Sequence, residues 1–298
     1  MNLGIISDQI DLDLEKSIQI IKNQGYNTIE LHSVFNKPVE TLNEEETRKA
    51  VEICEKYEMK VSNLATTLFF LCPLYEEDKV SLFNDSFHCI KGNVKDHLNH
   101  IENACRVAKA FGCDKLRMFP FRFPDNRKPP FGTEKDMETI CTYFQMAADI
   151  AQQYDCTLII ENCPYSHCPK GEMTLKLLKM CNRPNLKLLW DPANSYRAYQ
   201  NQVEDKYLHK TLLEELKWIY PYIGHIHIKD YHYDSNFEKP FIHKPIYSGD
   251  IDFDVLFQYL KEKEYPYTLS LEPEVAFEEA ILCMKRLKEK SIITYALT

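Results

Sequence analysis

One pattern recurs along the whole chain: a short apolar run, a polar connection, an amphipathic stretch of helical period, a stop, and then the next apolar run. In the first unit Leu3–Ser7 is the run, Asp13 is placed to cap a helix, and Leu14, Ile18 and Ile21 share one face of it. Gly25 stops that helix and Asn27–Leu31 resumes extended structure. The second unit runs through Asn43, Glu46 and Cys54 to Lys60–Leu64. The third aligns Leu98, Ile101, Cys105 and Ala108, stops at Gly112 and enters Lys115–Phe119. The fourth aligns Ile140, Phe144, Ala147 and Ala151 before Cys156–Glu161. Leu186–Asp191, Ile223–Lys229 and Tyr267–Glu272 continue the series, so strands are predicted to begin near residues 3, 27, 60, 115, 157, 186, 223 and 267.

Strands alternating with helices of this length imply right-handed crossovers and a parallel sheet. Eight units in a chain of 298 residues predict an α/β fold, a closed parallel (β/α)8 TIM barrel forming a single domain over residues 1–298, with an open doubly wound sheet as the alternative. Two connections exceed what the repeat needs, Thr66–Asn93 and Tyr231–Ile251. Both follow strand C-termini, where barrel enzymes carry their chemistry. Their aromatic residues Phe69, Phe70, Tyr231 and Tyr233 are the candidates to wall a pocket.

Composition narrows the chemistry. The 8 glycines are too scattered for a P-loop or a dinucleotide fingerprint, both of which cluster glycines to bring backbone N–H groups onto phosphates. A formal net charge of −9 disfavours nucleic acid as a partner. No apolar run of about 18 residues predicts a membrane span, and the N-terminus lacks a basic leader, so the expectation is a cytoplasmic protein without a membrane partner. The 11 cysteines include no C-x-x-C pair and mostly fall in apolar-periodic positions, which favours reduced thiols acting as small hydrophobes.

Four consecutive strands end in a potential metal ligand: Glu161, Asp191, His227 and Glu272. Strand parity sets Leu158 and Ile160 opposite Glu161, Leu188 and Trp190 opposite Asp191, Ile226 and Ile228 opposite His225, His227 and Lys229, and Leu269 and Leu271 opposite Glu272. With the apolar faces against outer helices, the four polar ends point into the barrel mouth. Three carboxylates and an imidazole suit one divalent cation, Mn2+, Mg2+ or Co2+ in preference to Zn2+. The competing reading is that strand-end acids cap helices or pair with lysines; consistent parity in four strands argues against it.

These segments also resemble a family. Ile160-Glu161-Asn162, Trp190-Asp191-Pro192-Ala193-Asn194, His227-Ile228-Lys229-Asp230, Gly249-Asp250-Ile251-Asp252-Phe253, Ser270-Leu271-Glu272-Pro273 and Ile29-Glu30-Leu31 are similar, in order, to the signature segments of the sugar phosphate isomerase/epimerase group, the xylose isomerase-like TIM barrels. The resemblance implies metal ligation by Glu161, Asp191, His227 and Glu272, with Glu161 and Glu272 doubling as acid/base groups on opposite faces of a carbohydrate substrate. It also implies a homodimer or homotetramer. The chain departs from some relatives in placing Asn194 where they have a histidine, and Asn194 donates hydrogen bonds but does not titrate.

The expected reaction is proton abstraction α to a carbonyl through an enediolate, as in sugar isomerases and epimerases. A dehydratase or lyase acting on an inosose-like ketone or keto-glycoside shares that enediolate. A non-catalytic sugar-binding barrel and an endonuclease of abasic DNA are the other readings, the last disfavoured by charge. Further substrate-contact candidates are Glu30 and His32 at the end of the second strand, Asn194, Lys229, and Arg117 in the fourth strand, for which a buried salt bridge is the rival role. His243 and Lys244 are expected to be solvated charges.

Overall fold

The computed structural model describes residues 2–82, 87–198 and 203–296, with side chains described to residue 290. Eight parallel strands make the central sheet: β1 (Asn2–Ile5), β2 (Thr28–Leu31), β3 (Lys60–Leu68), β4 (Lys115–Met118), β5 (Thr157–Glu161), β6 (Leu186–Trp190), β7 (Ile223–Ile228) and β8 (Thr268–Leu271). Neighbours in the sheet run β1, β8, β7, β6, β5, β4, β3, β2, and a single parallel bridge between Ile6 and Glu30 brings the two ends together into a nearly closed barrel.

Helices lie between the strands: α1 (Leu14–Asn23), α2 (Glu44–Lys56), α3 (Val94–Ala110), α4 (Glu134–Gln152), α5 (Gly171–Cys181), α6 (Pro192–Arg197), α7 (Leu212–Ile219), α8 (Phe253–Glu262) and α9 (Phe277–Ala296). Their beginnings follow from local chemistry. The Asp13 side chain accepts from the Lys16 backbone N–H, and capping boxes start α2 at Asn43, α3 at Asn93, α4 at Thr133 and α7 at Thr211. Gly25 and Gly112 follow α1 and α3 at positive φ, +77° and +68°, which is the stop expected of them. The apolar faces meet the outward faces of the strands, so Ile18, Ile101, Phe144 and Leu216 are fully buried with Ile29, Leu116, Ile160 and Ile226.

Two connections differ from expectation. β3 continues to Leu68, four residues past the predicted end, because Thr66 and Thr67 find side-chain partners: Thr66 Oγ1 donates to the Arg117 carbonyl, and Thr67 N donates to Glu40 Oε1 at 2.7 Å. The segment after β7 is an antiparallel hairpin, Asp230–Tyr233 with Phe241–Lys244, in which Tyr231 pairs with His243. Gly249 anchors its return. Its N–H donates to Asp230 Oδ2 at 2.9 Å, and a Cβ there would lie 2.2 Å from Asp230 Oδ1.

Candidate active site

The C-terminal ends of β5 to β8 deliver four buried side chains to one place. Glu161 is the last residue of β5 and His227 lies in β7, while Asp191 and Glu272 directly follow β6 and β8. Asp191 also caps α6, its Oδ1 accepting from Asn194 N at 2.9 Å. One ligand atom from each of Glu161, Asp191, His227 and Glu272 lies within 4.8 Å of all the others.

Two buried cations balance the carboxylates. Arg117 Nη1 donates to Glu161 Oε2 at 3.1 Å and to Glu272 Oε1 at 3.2 Å. Its Nε and Nη2 are fixed by the Thr66 and Ala65 carbonyls at 3.2 and 3.0 Å. Lys229 Nζ lies 2.8 Å from Glu272 Oε2 and 3.1 Å from Asp191 Oδ2. The balance is uneven. Burial and then the Glu272 charge push the Glu161 carboxyl up to about 7. Burial opposes ionisation of Glu272 too, but Lys229 and His227 outweigh it and hold that carboxyl well below its ordinary range. Burial raises Asp191, with Lys229 pulling the other way.

The residues present fit a divalent cation. His227 Nε2 is 3.0 Å from Glu30 Oε2, whereas the buried Nδ1 has no hydrogen-bond partner and faces Glu272 Oε2 at 3.5 Å and Glu161 Oε2 at 4.0 Å. An unpartnered ring nitrogen among carboxylate oxygens is a donor set of the kind a divalent ion completes.

Above the cluster opens a cavity of about 430 Å³, walled by Phe70, Phe87, Phe119, Tyr165, Tyr231 and Phe241, with Arg117, Glu161, Asn194, Lys229 and Glu272 among its polar lining. Of the aromatic residues singled out in the sequence, Phe70 and Tyr231 line it. Phe69 turns inward at φ +60° and stacks on Phe121 at 4.8 Å, and Tyr233 is half exposed and off the wall.

The structure separates the expected substrate contacts. Asn194, Lys229 and Arg117 line the cavity; Asn194 Nδ2 donates to Glu161 Oε1 at 2.9 Å. Arg117 forms the buried salt bridges that were its rival role. Glu30 and His32, expected near the substrate, are not among the residues that line the cavity. Glu30 is fully buried beneath His227, since its inward position on β2 lies one layer below the strand ends. His32 Nδ1 bonds Asp8 Oδ2 at 2.7 Å and its ring stacks against Phe87.

His243 was expected to be solvated and instead lines the cavity, because the hairpin folds it over Tyr231, 4.4 Å between ring centroids, and Glu274 Oε2 holds its Nε2 at 3.0 Å. Sequence reasoning missed Glu274 and Arg197, which also line the cavity. Glu274 gives no local signal except its place two residues after Glu272, and its backbone takes a positive φ of 47°. Arg197 lies on the short helix that Asp191 caps, and donates to the phenol oxygens of Tyr231 and Tyr165 at 3.1 and 2.6 Å.

Comparison with known proteins agrees with this architecture. A putative hydroxypyruvate isomerase from Xenopus laevis is 26% identical over 183 residues, which are 59% of this chain and 60% of that protein. The chain thus spans about three fifths of the length of that relative. Among solved structures, IOLI protein with a bound zinc atom superposes with a TM-score of 0.70 at 17% identity, over 97% of this chain and 96% of that one. The probable 3-DHS dehydratase AsbF of Bacillus anthracis gives 0.69 at 16% identity, over 97% and 99%. At such identities these structures speak for the fold. Residues 18–287 match the xylose isomerase-like TIM barrel family, and the chain belongs to it.

Proposed function

We propose that the chain is a divalent-metal-dependent isomerase or epimerase of a small carbohydrate or related polyol ketone, working by proton transfer at the carbon α to a carbonyl. The observation that carries this reading is geometric: Glu161, Asp191, His227 and Glu272 bring one ligand atom each within 4.8 Å of the others, and Glu161 and Glu272 share Nη1 of Arg117 at 3.1 and 3.2 Å. The hydroxypyruvate isomerase among the relatives, and sugar epimerases among the similar folds, support this choice.

Glu161, Asp191, His227 and Glu272 would hold the cation, and the preference for Mn2+, Mg2+ or Co2+ rests on the three carboxylates among them. When bound, such an ion supplies Lewis-acid stabilisation of the negative charge that develops on substrate oxygens. The protein supplies the rest. Glu272, kept ionised by Lys229, removes the proton, and it or Glu161 across the mouth returns that proton to the substrate carbon. Asn194 orients Glu161, and the aromatic wall excludes water from the reacting carbon.

A screen of ketoses, inososes and their phosphates in D2O, with Mn2+ added, reads deuterium uptake at the α carbon by NMR. One substrate class should exchange, and Glu272→Gln should slow that exchange by roughly 10³-fold. Undiminished exchange in the variant would overturn the assignment of Glu272.

A further inference from the structure

We infer that Glu30 is a positioning residue for His227, fixing which ring nitrogen faces the proposed metal cluster. The inference rests on the functional reading above and extends it to the layer of the barrel below the mouth. Glu30 is fully buried, and both its oxygens are engaged. Oε2 accepts from Asn63 Nδ2 at 2.9 Å and meets His227 Nε2 at 3.0 Å, while Oε1 pairs with His225 Nε2. His225 Nε2 is in turn 3.1 Å from Ser270 Oγ.

Interiors of such barrels are filled mainly by branched aliphatic side chains, and a buried carboxylate is a costly replacement for one. Two backbone features accommodate it here. The register of β2 against β3 shifts between Ile29 and Glu30, where Ser62 is the extra residue on β3 and Asn63 comes level with Glu30. On the far side, Gly4 in β1 leaves the space that its Cβ would take 2.9 Å from Ser270 Oγ.

The chemistry of imidazole states what the carboxylate does. A carboxylate accepts, so the contact with Glu30 holds a proton on His227 Nε2 and makes Nδ1, directed at the gap between Glu161 and Glu272, the nitrogen a cation would take. This is the way a carboxylate beneath a ligating histidine sets its tautomer and ring angle. With His225 on one oxygen and Asn63 on the other, Glu30 has little freedom to follow a rotating ring. Glu30, His225 and His227 also bring ligand atoms within 4.8 Å of one another, which is close enough for a second ion. Positioning is the stronger reading because the same nitrogens are already used up in pairwise contacts with Glu30.

The test uses the full chain and Co2+ as probe. Wild-type protein should bind one equivalent, and Glu30→Gln should weaken that binding about 10- to 100-fold and change the visible spectrum of the bound ion. Asn63→Ala, which loosens Glu30 without touching His227, should shift binding and spectrum in the same direction by a smaller amount. If Glu30→Gln does not fold, histidine ¹⁵N NMR of the Mg2+-loaded wild type decides the matter: a proton on Nε2 of His227 is expected, and a proton on Nδ1 overturns the proposal. Wild-type affinity and spectrum in folded Glu30→Gln, or two equivalents of Co2+ in wild type with one lost in the variant, overturn it as well. If wild type binds Co2+ and exchanges substrate deuterium while Glu30→Gln matches it, only this inference falls. If wild type binds no Co2+, the functional reading falls first.

Discussion

The barrel interior holds two polar layers that share His227, and they solve the burial of charge differently. In the lower layer Glu30, Asn63, His225 and Ser270 are buried and bonded to one another. In the upper layer Glu161, Asp191 and Glu272 are drawn together against Arg117 and Lys229, one histidine nitrogen is left without a partner, and the cavity opens above. The lower layer is tied side chain to side chain, with Asn63 Oδ1 left over, whereas the upper one leaves a ring nitrogen among carboxylates beneath an open cavity. The same residue types, carboxylate and imidazole, thus serve opposite ends within a few ångströms of each other.

The largest expected effect exposes the incompleteness of the upper layer. A divalent ion at about a thousandfold its Kd should stabilise the folded protein by about 4 kcal/mol. Asp191→Ala should abolish that gain in chemical denaturation with Mn2+, while leaving the metal-free protein folded. Next comes the lower layer. His225→Leu leaves Oε1 of the Glu30 carboxylate unpaired and should cost about 3 kcal/mol in urea unfolding, whether or not Mn2+ is present. A loss confined to Mn2+-loaded protein would erase the distinction between the layers.

A smaller effect depends on pH. A cation must displace the proton that Glu161 carries below about 7, so titration calorimetry should find metal affinity rising as pH rises toward that value. The slope should be about tenfold per pH unit for each proton released. The smallest tests the fit of the lower layer: Gly4→Ala crowds Ser270 and should cost about 1 kcal/mol. Adding Ser270→Gly should recover part of that loss.

The sequence made the strands legible because each apolar run is bounded by a helix stop or a cap that acts locally, as Gly25, Gly112 and Asn43 do. The four candidate ligands were legible for a related reason, since strand parity alone tells which side of a barrel a side chain faces. The role of Glu30 was not. Its contact with His227 joins residues 197 positions apart, and the extra residue Ser62 on β3 that brings Asn63 beside it breaks the parity count of that strand. Arg117 was weighed as a salt-bridge partner, but that it holds both Glu161 and Glu272 follows only from closure of the barrel. The hairpin after β7 was hidden by its mixed aromatic and basic residues, which read as a loop until Tyr231 and His243 are paired.

Arg117 hangs from the backbone of β3 by two of its nitrogens, so its charge is part of the wall before anything enters the mouth. Together with Lys229 it gives the cluster an internal counter-charge. Folding and loading are then separate events. A chelator should empty the mouth and leave the barrel standing, and the ion that returns is selected by its supply in the surroundings as much as by the ligands that receive it.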